Sequence, residues 1–448
     1  MDYQAFKSAV IAQCEAMGIS EYELYYQVGS SVSVDTFRHE INEFSAAESG
    51  GVCFRCIVGG KMGYASTEAL NESEAAAIVR RAADNAAVLE SEEAVFLCEG
   101  GQEYEPLEIQ EYPLPSTEEM VATCLDTEKK LYAADEAVID GSQVQVMTGT
   151  SETAIYNSKG LDLYYRNSYS GVVTAAVVSD GKEMSDDYQI KMGQLSRIDK
   201  DEMVEKAVEE AKRKLGGDVP PTAVCPVVFA PGAIASLLGV FSSVFSSEAA
   251  QKGLSKLAGK EGEAIASSLV TLVDDPFHCE NPEPINFDAE GCPAHKKNVI
   301  ENGKLVTLLY NLKTAAVAGK KTTGNASKAG YDASVGIRPF TMYLAAGDCT
   351  EDALLAKAEG GVYISNLGGL HAGANPISGD FSLQSSGFLI RGGKKTDFVK
   401  SFTVAGNFYE LLQNITALSD KVTLPRPFGM TTFGSPSVLV ENLSIAGK

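Results

Sequence analysis

The chain has 448 residues, more than one ordinary domain needs, and its 44% hydrophobic and 22% charged content excludes wholesale disorder. The start of the sequence lacks the basic and apolar regions of a signal peptide. The longest mostly apolar stretch, 226–241, is interrupted by Pro231 and Gly232 and is too short to span a membrane. Nine cysteines without a regular spacing indicate reduced thiols. The sequence therefore predicts a cytoplasmic protein with no membrane partner.

Acidic charge is concentrated in the first half of the chain. Residues 1–221 carry 18 basic and 40 acidic side chains, a net charge of −22, whereas residues 222–448 carry 19 and 20, a net charge of −1. Neither half offers the excess of positive charge that neutralising phosphates requires. We therefore expect no nucleic-acid partner and interpret the acidic excess as a solvated surface.

Local patterns in residues 1–217 predict a mixture of helices and hairpins. Apolar residues at helical spacing predict a helix over 3–17 that ends at Gly18. Alternation through 52–58, followed by two glycines and a short run over 62–66, predicts a hairpin. Further predictions are a helix capped by Asn71 with Glu74, a helix capped by Ser116 with Glu119, a turn at 157–160 and a helix over 201–215.

Two segments of this first half are interpreted as connections. Residues 90–119 contain ten Glu and no Lys or Arg, which favours a solvated connector between subdomains at about 1–90 and 116–217. An acidic binding tail is the alternative. The second connection is 218–222, where a Pro-Pro pair follows a Gly-Gly helix stop and the charge balance changes. We predict a domain boundary there.

The second half consists mostly of predicted strands with helical interruptions. Hairpins are expected around Asn302-Gly303 and around Gly392-Gly393, and helical patches over 313–319, 351–358 and 407–417. Strands and helices do not alternate strictly, which favours an α+β fold with mixed, largely antiparallel sheets. The expected order is an acidic N-terminal α+β region, 1–217, and a strand-rich C-terminal domain, 222–448.

Familiar catalytic motifs are missing from the sequence. The four histidines form neither HExxH nor HExxxH, and there is no GxSxG elbow, Walker A loop or Rossmann glycine motif. His278, Cys279, Cys292 and His295 together have the composition of a structural zinc site. Adjacent residues are awkward ligands for one tetrahedron, so ordinary loop residues are the favoured interpretation.

Two polar, glycine-containing segments are candidates for a peptide or partner surface. The first is the turn-like run at 323–325, and the second is the run 366–376 with the Asp that follows it closely. Tight turns packed between strands are an equally good explanation. The residues concerned are Thr323, Gly324, Asn325, His371, Asn375 and Asp380.

A series of short motifs resembles the TldD/PmbA family, zinc metallopeptidases once described as modulators of DNA gyrase. Each motif is weak alone, and the resemblance rests on their order and spacing over nearly the whole chain. They lie at 50–55, 63–67, 287–291, 300–303, 322–325, 378–381, 405–407 and 434–447.

The resemblance also implies what this chain lacks. TldD-like chains bind zinc through an HExxxH helix and a distant Cys. Here Gly239 and Val240 stand in place of the His-Glu pair, and Val244 falls near the second His. Phe433 lies where the Cys would be expected. The chain therefore resembles PmbA, also called TldE, and we expect no catalytic residue and no metal ligand in it.

The resemblance leads to a functional expectation. The chain would be the non-catalytic subunit of a cytosolic TldD-type zinc metallopeptidase that acts on unfolded or leader-like peptides. It would form a heterodimer with a TldD-like subunit or a homodimer by itself, and zinc would be held only by the partner. Two alternatives stay open: a self-sufficient metallopeptidase that uses His278, Cys292 and His295, and a regulatory interaction protein unrelated to proteolysis.

Overall fold

The computed structural model describes residues 1–90, 93–107, 113–281, 283–428 and 431–448. Of the predicted acidic connector, residues 91–92 and 108–112 lie outside the described residues. The described part, 93–107, contains neither helix nor strand. The chain forms two compact units, each built from separate segments. Unit 1 comprises Met1–Lys212, Pro282–Ala294 and Asn311–Gly336, and unit 2 comprises Arg213–Asn281, His295–Tyr310 and Ile337–Lys448.

The helices and strands of the described residues are numbered in chain order. The helices are α1 Tyr3–Met17, α2 Glu72–Val88, α3 Thr117–Ala134, α4 Lys200–Arg213, α5 Pro231–Phe241, α6 Ser247–Gln251, α7 Leu312–Ala318, α8 Glu351–Lys357, α9 Leu370–Gly373 and α10 Phe408–Gln413. The strands are β1 Tyr22–Phe37, β2 Glu40–Val58, β3 Lys61–Thr67, β4 Gln143–Asn157, β5 Asp162–Ser179, β6 Met184–Met192, β7 Ala223–Phe229, β8 Leu272–Asp274, β9 Lys297–Glu301, β10 Lys304–Leu305, β11 Ala326–Ser327, β12 Gly336–Ile337, β13 Thr341–Leu344, β14 Val362–Gly368, β15 Asp380–Arg391, β16 Lys394–Asn407, β17 Ile415–Leu418, β18 Thr423–Phe428, β19 Thr431–Ser435 and β20 Val438–Ala446.

Unit 1 is organised around one antiparallel sheet in the order β3-β2-β1-β4-β5-β6. Side chains alternate between the two faces of a strand, so a strand covered on both faces presents two different sets of residues. On one face, Leu24 of β1 and Phe54 of β2 are fully buried in a core shared with α1 and α2. This face explains the alternating pattern over 52–58.

The opposite face of the same sheet packs against later parts of the chain. Tyr25 of β1, Cys53 of β2 and Ile155 of β4 lie in a second buried cluster with Phe287 and Cys292. The segment 283–294 therefore covers a sheet whose strands all end more than 90 residues earlier in the sequence. Successive residues of the unit 1 strands therefore pack into two separate cores, one on each face of the sheet.

Unit 2 contains two six-stranded sheets. One has the order β16-β15-β14-β7-β20-β17, and its strand β16 also pairs with β20, so that five strands close on themselves. The other has the order β10-β9-β8-β13-β19-β18. Neighbours are antiparallel in both sheets except for the pairs β7–β14 and β13–β19, which are parallel.

The predicted α+β class is confirmed, since helices accompany largely antiparallel sheets in the described residues. The helix predicted over 3–17 ends at Gly18 in the left-handed conformation, and Ser116 and Glu119 form the expected capping box. The Asn302-Gly303 hairpin is also present, with φ values of 48° and 82°. One prediction was wrong: the patch at 407–417 is helical only over α10, because β17 follows and pairs with β20.

The predicted boundary at 218–222 lies within unit 2. The first segment of unit 1 ends nearby, at Lys212. Its backbone is hydrogen-bonded on both sides. Asp218 N–H donates to the Phe398 carbonyl, and Thr222 N–H donates to the carbonyl of Lys448. The division into 1–217 and 222–448 stays a prediction. Because of these bonds we expect the linker to be cleaved slowly in limited proteolysis. In the described part of the chain, no helix is long and apolar enough to cross a membrane.

Candidate functional site

The resemblance in sequence aligns residues 235–244 with the zinc-binding helix of TldD-like chains, and in the structure most of these residues lie in α5. This helix begins at Pro231, a position where proline is well tolerated because the first helical N–H has no partner within the helix. It packs against β7 and β14 of one sheet of unit 2 and against β13, β18 and β19 of the other. The helix therefore lies between the two sheets, and most of its apolar residues are buried.

The four positions implied by the resemblance lie on or beside α5 and on β19. Gly239 and Val240 are half-buried in the last turn of α5, and Val244 is buried in the 3-10 turn that follows. Phe433 is buried in β19, the strand against which α5 packs. Zinc requires nitrogen, sulfur or carboxylate oxygen ligands, and none of these four side chains carries one. These residues do not fit a zinc ion.

The His and Cys set proposed as an alternative zinc site is not assembled. His278 Nδ1 accepts a hydrogen bond from the Glu280 N–H at 3.2 Å, and its ring lies edge-to-face with Tyr343. Cys279 is exposed, whereas Cys292 is buried in unit 1. Among the residues that the structure describes, no group of three or more His, Cys, Asp or Glu is placed to hold a metal ion.

The first candidate surface segment, 323–325, lies inside unit 1. Thr323 Oγ1 donates to Asn325 Oδ1 at 2.8 Å, and both side chains are buried. Gly324 has a φ of 67°, and a Cβ on it would lie 2.1 Å from the Pro293 carbonyl oxygen. This geometry supports the alternative interpretation, a tight turn whose glycine permits close approach of two backbone segments.

The second candidate surface segment lies in unit 2. His371, Asn375 and Asp380 are all exposed, and the short helix α9 that contains His371 contacts α5. Asp380 Oδ1 accepts from Asn407 Nδ2 at 2.8 Å, and this bond, with another to Ser378, lowers the pKa of the Asp380 carboxyl. The family-like motifs at 378–381 and 405–407 therefore meet at this point. His371, Asn375 and Asp380 stay candidates for a peptide or partner surface.

A buried charge cluster in unit 1 was not predicted. Glu23 and Arg55 are directly opposite each other on β1 and β2, on the face that segment 283–294 covers. Arg55 Nη2 lies 2.7 Å from Glu23 Oε1, and Nη1 lies 3.9 Å from Glu290 Oε1. All three residues are at most 5% exposed. We call Glu23, Arg55 and Glu290 the buried ion triad.

The charge states of the triad follow from its surroundings. Burial disfavours the charged form of Arg55, but the carboxylates of Glu23 and Glu290 outweigh it and raise the pKa of the guanidinium. Burial raises the pKa of Glu23, and Arg55 opposes the effect. The triad carries two acidic groups for one base, and buried Lys328 also opposes the rise in the pKa of Glu23. Removing Arg55 would therefore take away the main counter-charge of both carboxyls.

Asp288 and Glu290 connect the triad to the two later segments of unit 1, which lie within 283–294 and 311–336. Asp288 Oδ1 accepts from the N–H groups of Glu290 and Cys292, and Oδ2 accepts from that of Ala326, each at 2.9 Å. Glu290 Oε2 accepts from the Leu312 N–H at 2.8 Å, at the start of α7. Burial, reinforced by Glu290, raises the pKa of Asp288 to about 7. Three motifs of the resemblance, at 50–55, 287–291 and 322–325, thus converge in unit 1.

Three family models match the chain in sequence order. They are the PmbA/TldA metallopeptidase domain 1 over residues 22–86, the central domain over 111–215 and the C-terminal domain over 222–447. Domains of a metallopeptidase family thus match most of the chain. It belongs to the PmbA/TldD family, and the resemblance seen in the sequence is confirmed.

Individual relatives agree with this assignment. A metalloprotease of Methanothermobacter thermautotrophicus is 30% identical over 331 residues, which cover 69% of this chain and 71% of the relative. A solved structure of a proposed modulator of a DNA gyrase from Thermotoga maritima has a TM-score of 0.90 at 28% identity, covering 99% of this chain and 100% of the other. TldE of Thermococcus kodakarensis has a TM-score of 0.85 at 25% identity, with the same coverage.

Proposed function

We propose that this chain is a PmbA/TldE-like, non-catalytic subunit of a cytosolic TldD-type zinc metallopeptidase that acts on unfolded or leader-like peptides. The observation that carries the proposal is the contact between α5 and β19. The elements on which the family would hold zinc are both present, yet Gly239, Val240, Val244 and Phe433 offer no ligand. Hydrolysis would therefore take place in the partner.

The chain's own contribution would be to shape the enclosure that receives the peptide. His371, Asn375 and Asp380 are exposed and lie on and near α9, which contacts α5. Their imidazole, amide and carboxylate groups can each bond to a peptide backbone. We assign the peptide or partner contact to this surface because the other candidate segment, 323–325, is buried.

The proposed partner is a TldD-like chain, and a second copy of this chain would take its place when the partner is missing. Two protomers of related fold can pair about a pseudo-twofold axis. The strand-rich C-terminal region is the better interface, since residues 222–448 carry a net charge of only −1 and avoid the repulsion between two −22 surfaces. A specific dimer should bury on the order of 1,600 Å².

The decisive experiment compares the chain alone, an HExxxH-bearing relative alone, and the two purified together. We expect no stoichiometric zinc and no peptidase activity in this chain alone, and about one zinc per pair in the complex. The complex should cleave an unfolded polypeptide in a chelator-sensitive reaction. Elemental analysis, light scattering and a fluorescent unfolded substrate provide the three measurements.

The same experiment separates the two alternatives. About one zinc per chain with chelator-sensitive cleavage by this chain alone would favour a self-sufficient metallopeptidase. A strict monomer at tens of micromolar that binds no HExxxH relative would contradict the pairing and favour a regulatory protein unrelated to proteolysis.

A variant pair tests the assigned surface. His371→Ala should lower cleavage by the complex, because it removes an exposed imidazole of unit 2 from the proposed peptide surface. The zinc content should stay unchanged, because the partner would hold the zinc. His39→Ala is the control, since His39 is also exposed but lies in unit 1. Equal activity of the two variants and the unmodified complex would remove His371 from the proposed surface.

A further inference from the structure

Two thiols meet in the interior of unit 1. Cys98 Sγ lies 3.0 Å from Cys292 Sγ, and the residues are 4% and 1% exposed. The bonded sulfurs of a disulfide are about 2.05 Å apart, so the two atoms need to approach by only about 1 Å. The two residues are 194 positions apart in the sequence, so a bond between them would join distant segments.

The backbone on both sides of this pair is already held in place. Tyr104 Oη donates to the Gly291 carbonyl at 2.7 Å, and Asn286 Nδ2 donates to the Glu105 carbonyl at 2.7 Å. Asn157 Nδ2 donates to the Cys98 carbonyl at 2.9 Å. The acidic segment 93–107 is therefore bound along segment 283–294, and these bonds hold the two thiols close together.

We propose that Cys98 and Cys292 are a reversible disulfide pair that locks segment 93–107 onto segment 283–294 when a peroxide is present. One thiolate attacks an oxygen of the peroxide, which breaks the O–O bond and gives a sulfenic acid. The second thiol attacks that sulfur, the S–S bond forms and water leaves. In total two thiols lose two electrons and two protons, and hydrogen peroxide is reduced to two molecules of water.

The surroundings set the speed of this reaction. The hydrogen bond with Cys98, burial and the nearby carboxyl of Asp288 all raise the pKa of the Cys292 thiol. A raised pKa keeps that thiol protonated at neutral pH, and the thiolate is the reactive form. The pair therefore responds slowly, to sustained oxidant, and stays reduced in an ordinary cytoplasm.

Locking would act on the segment that carries one of the two acidic partners of Arg55. Residues 283–294 contain both Asp288, which holds three backbone N–H groups, and Glu290 of the buried ion triad. A covalent link at Cys292 removes conformations of the unfolded chain in which the two segments separate. Segments 93–107 and 283–294 should therefore separate less often in the oxidised protein than in the reduced protein.

Peptide mapping of the folded protein tests the proposal. The protein is treated with hydrogen peroxide until exposed Cys279 is fully modified, then denatured and alkylated without reductant. We expect the peptides of Cys98 and Cys292 to be joined, with a loss of about 2 Da that dithiothreitol reverses. The oxidised protein should also melt at a higher temperature than the reduced protein.

Variants separate the lock from general oxidation. Cys98→Ser and Cys292→Ser should each abolish the joined peptide and the rise in melting temperature. Cys279→Ser, followed by oxidation at the same dose, should retain both. In the protein without substitutions, full modification of Cys279 with no Cys98–Cys292 link would overturn the proposal. A link that leaves the melting temperature unchanged would also overturn it.

Discussion

The two units hold their interiors together in different ways at the points where family-like residues meet. In unit 1 the buried ion triad places one guanidinium between two carboxylates on the covered face of a sheet. In unit 2 the helix α5 packs against β19, and positions 239, 240, 244 and 433 on and beside these elements carry only Gly, Val and Phe. At the first of these points the contact depends on opposite charges, and at the second it depends on volume.

The difference indicates which of the two regions is more sensitive to substitution. An apolar contact tolerates exchange of similar side chains, because dispersion and burial are not directional. A buried ion pair tolerates little, because removing one partner leaves an uncompensated charge in a medium of low dielectric constant. Substitutions in the two regions should therefore differ in effect even when they change similar volumes.

Arg55→Met gives the largest expected effect. It removes the guanidinium of the triad and leaves Glu290 buried without its counter-charge and Glu23 with Lys328 as its remaining nearby cation. This should lower the free energy of unfolding by about 3–5 kcal/mol. Arg166→Met is the control, because the Arg166–Glu152 pair is exposed and should contribute less than about 1 kcal/mol. Denaturant unfolding of both variants measures the difference, and equal values would show that the triad is not a special site.

Phe433 tests the apolar region. Phe433→Ala should lower the free energy of unfolding by about 3 kcal/mol through the cavity it leaves, because the side chain is buried in β19. Phe433→Leu retains most of the volume and should lower it by only about 1 kcal/mol. A loss from Phe433→Leu as large as that from Arg55→Met would break the distinction between the two regions.

Gly324 tests the turn that packs against segment 283–294. Gly324→Ala should lower the free energy of unfolding by more than about 2 kcal/mol, since φ is 67° and the new Cβ would meet the Pro293 carbonyl. Gly319→Ala is a matched control with a φ of 65° and open space around the new Cβ, so it should lower stability by about 1 kcal/mol. Thermal unfolding of the pair distinguishes the clash from the backbone strain they share.

The pH dependence of stability isolates Asp288. Its pKa of about 7 in the folded protein exceeds the ordinary 3.8, so the folded state binds more protons between these values. The resulting stabilisation is complete below about pH 4 and is lost as the pH rises through about 7. Between pH 5.5 and pH 8, the free energy of unfolding of the natural protein should fall by about 2 kcal/mol more than that of Asp288→Asn. Parallel stability curves for the two proteins would contradict this assignment.

The sequence predicted the elements whose signals are local. The Ser116 cap, the Gly18 stop and the Asn302-Gly303 turn each lie within a few residues of the structure they specify. The alternation over 52–58 is consistent with Arg55 lying on the face opposite Phe54. It could not indicate that Glu290 meets Arg55, because the two residues are 235 positions apart and no local pattern encodes such a contact.

The same limit applies to the candidate sites. Polar, glycine-containing runs at 323–325 and 366–376 look alike in the sequence, yet the first is buried and the second is largely exposed. Burial depends on which distant segments cover a turn, and composition does not report this. The degenerate positions at 239, 240, 244 and 433 were located only through resemblance to a family. Their lack of ligands is plain from residue type alone.

The discontinuity of unit 1 has a consequence for how the protein is made. The ribosome completes the six strands of its sheet well before it reaches residues 283–294 and 311–336, which cover the second face. At about 5–20 residues per second, a nascent chain would wait on the order of 10 seconds with Tyr25, Cys53 and Ile155 uncovered. During that interval the exposed face is a natural target for chaperones, and translation pauses after α4 would lengthen it.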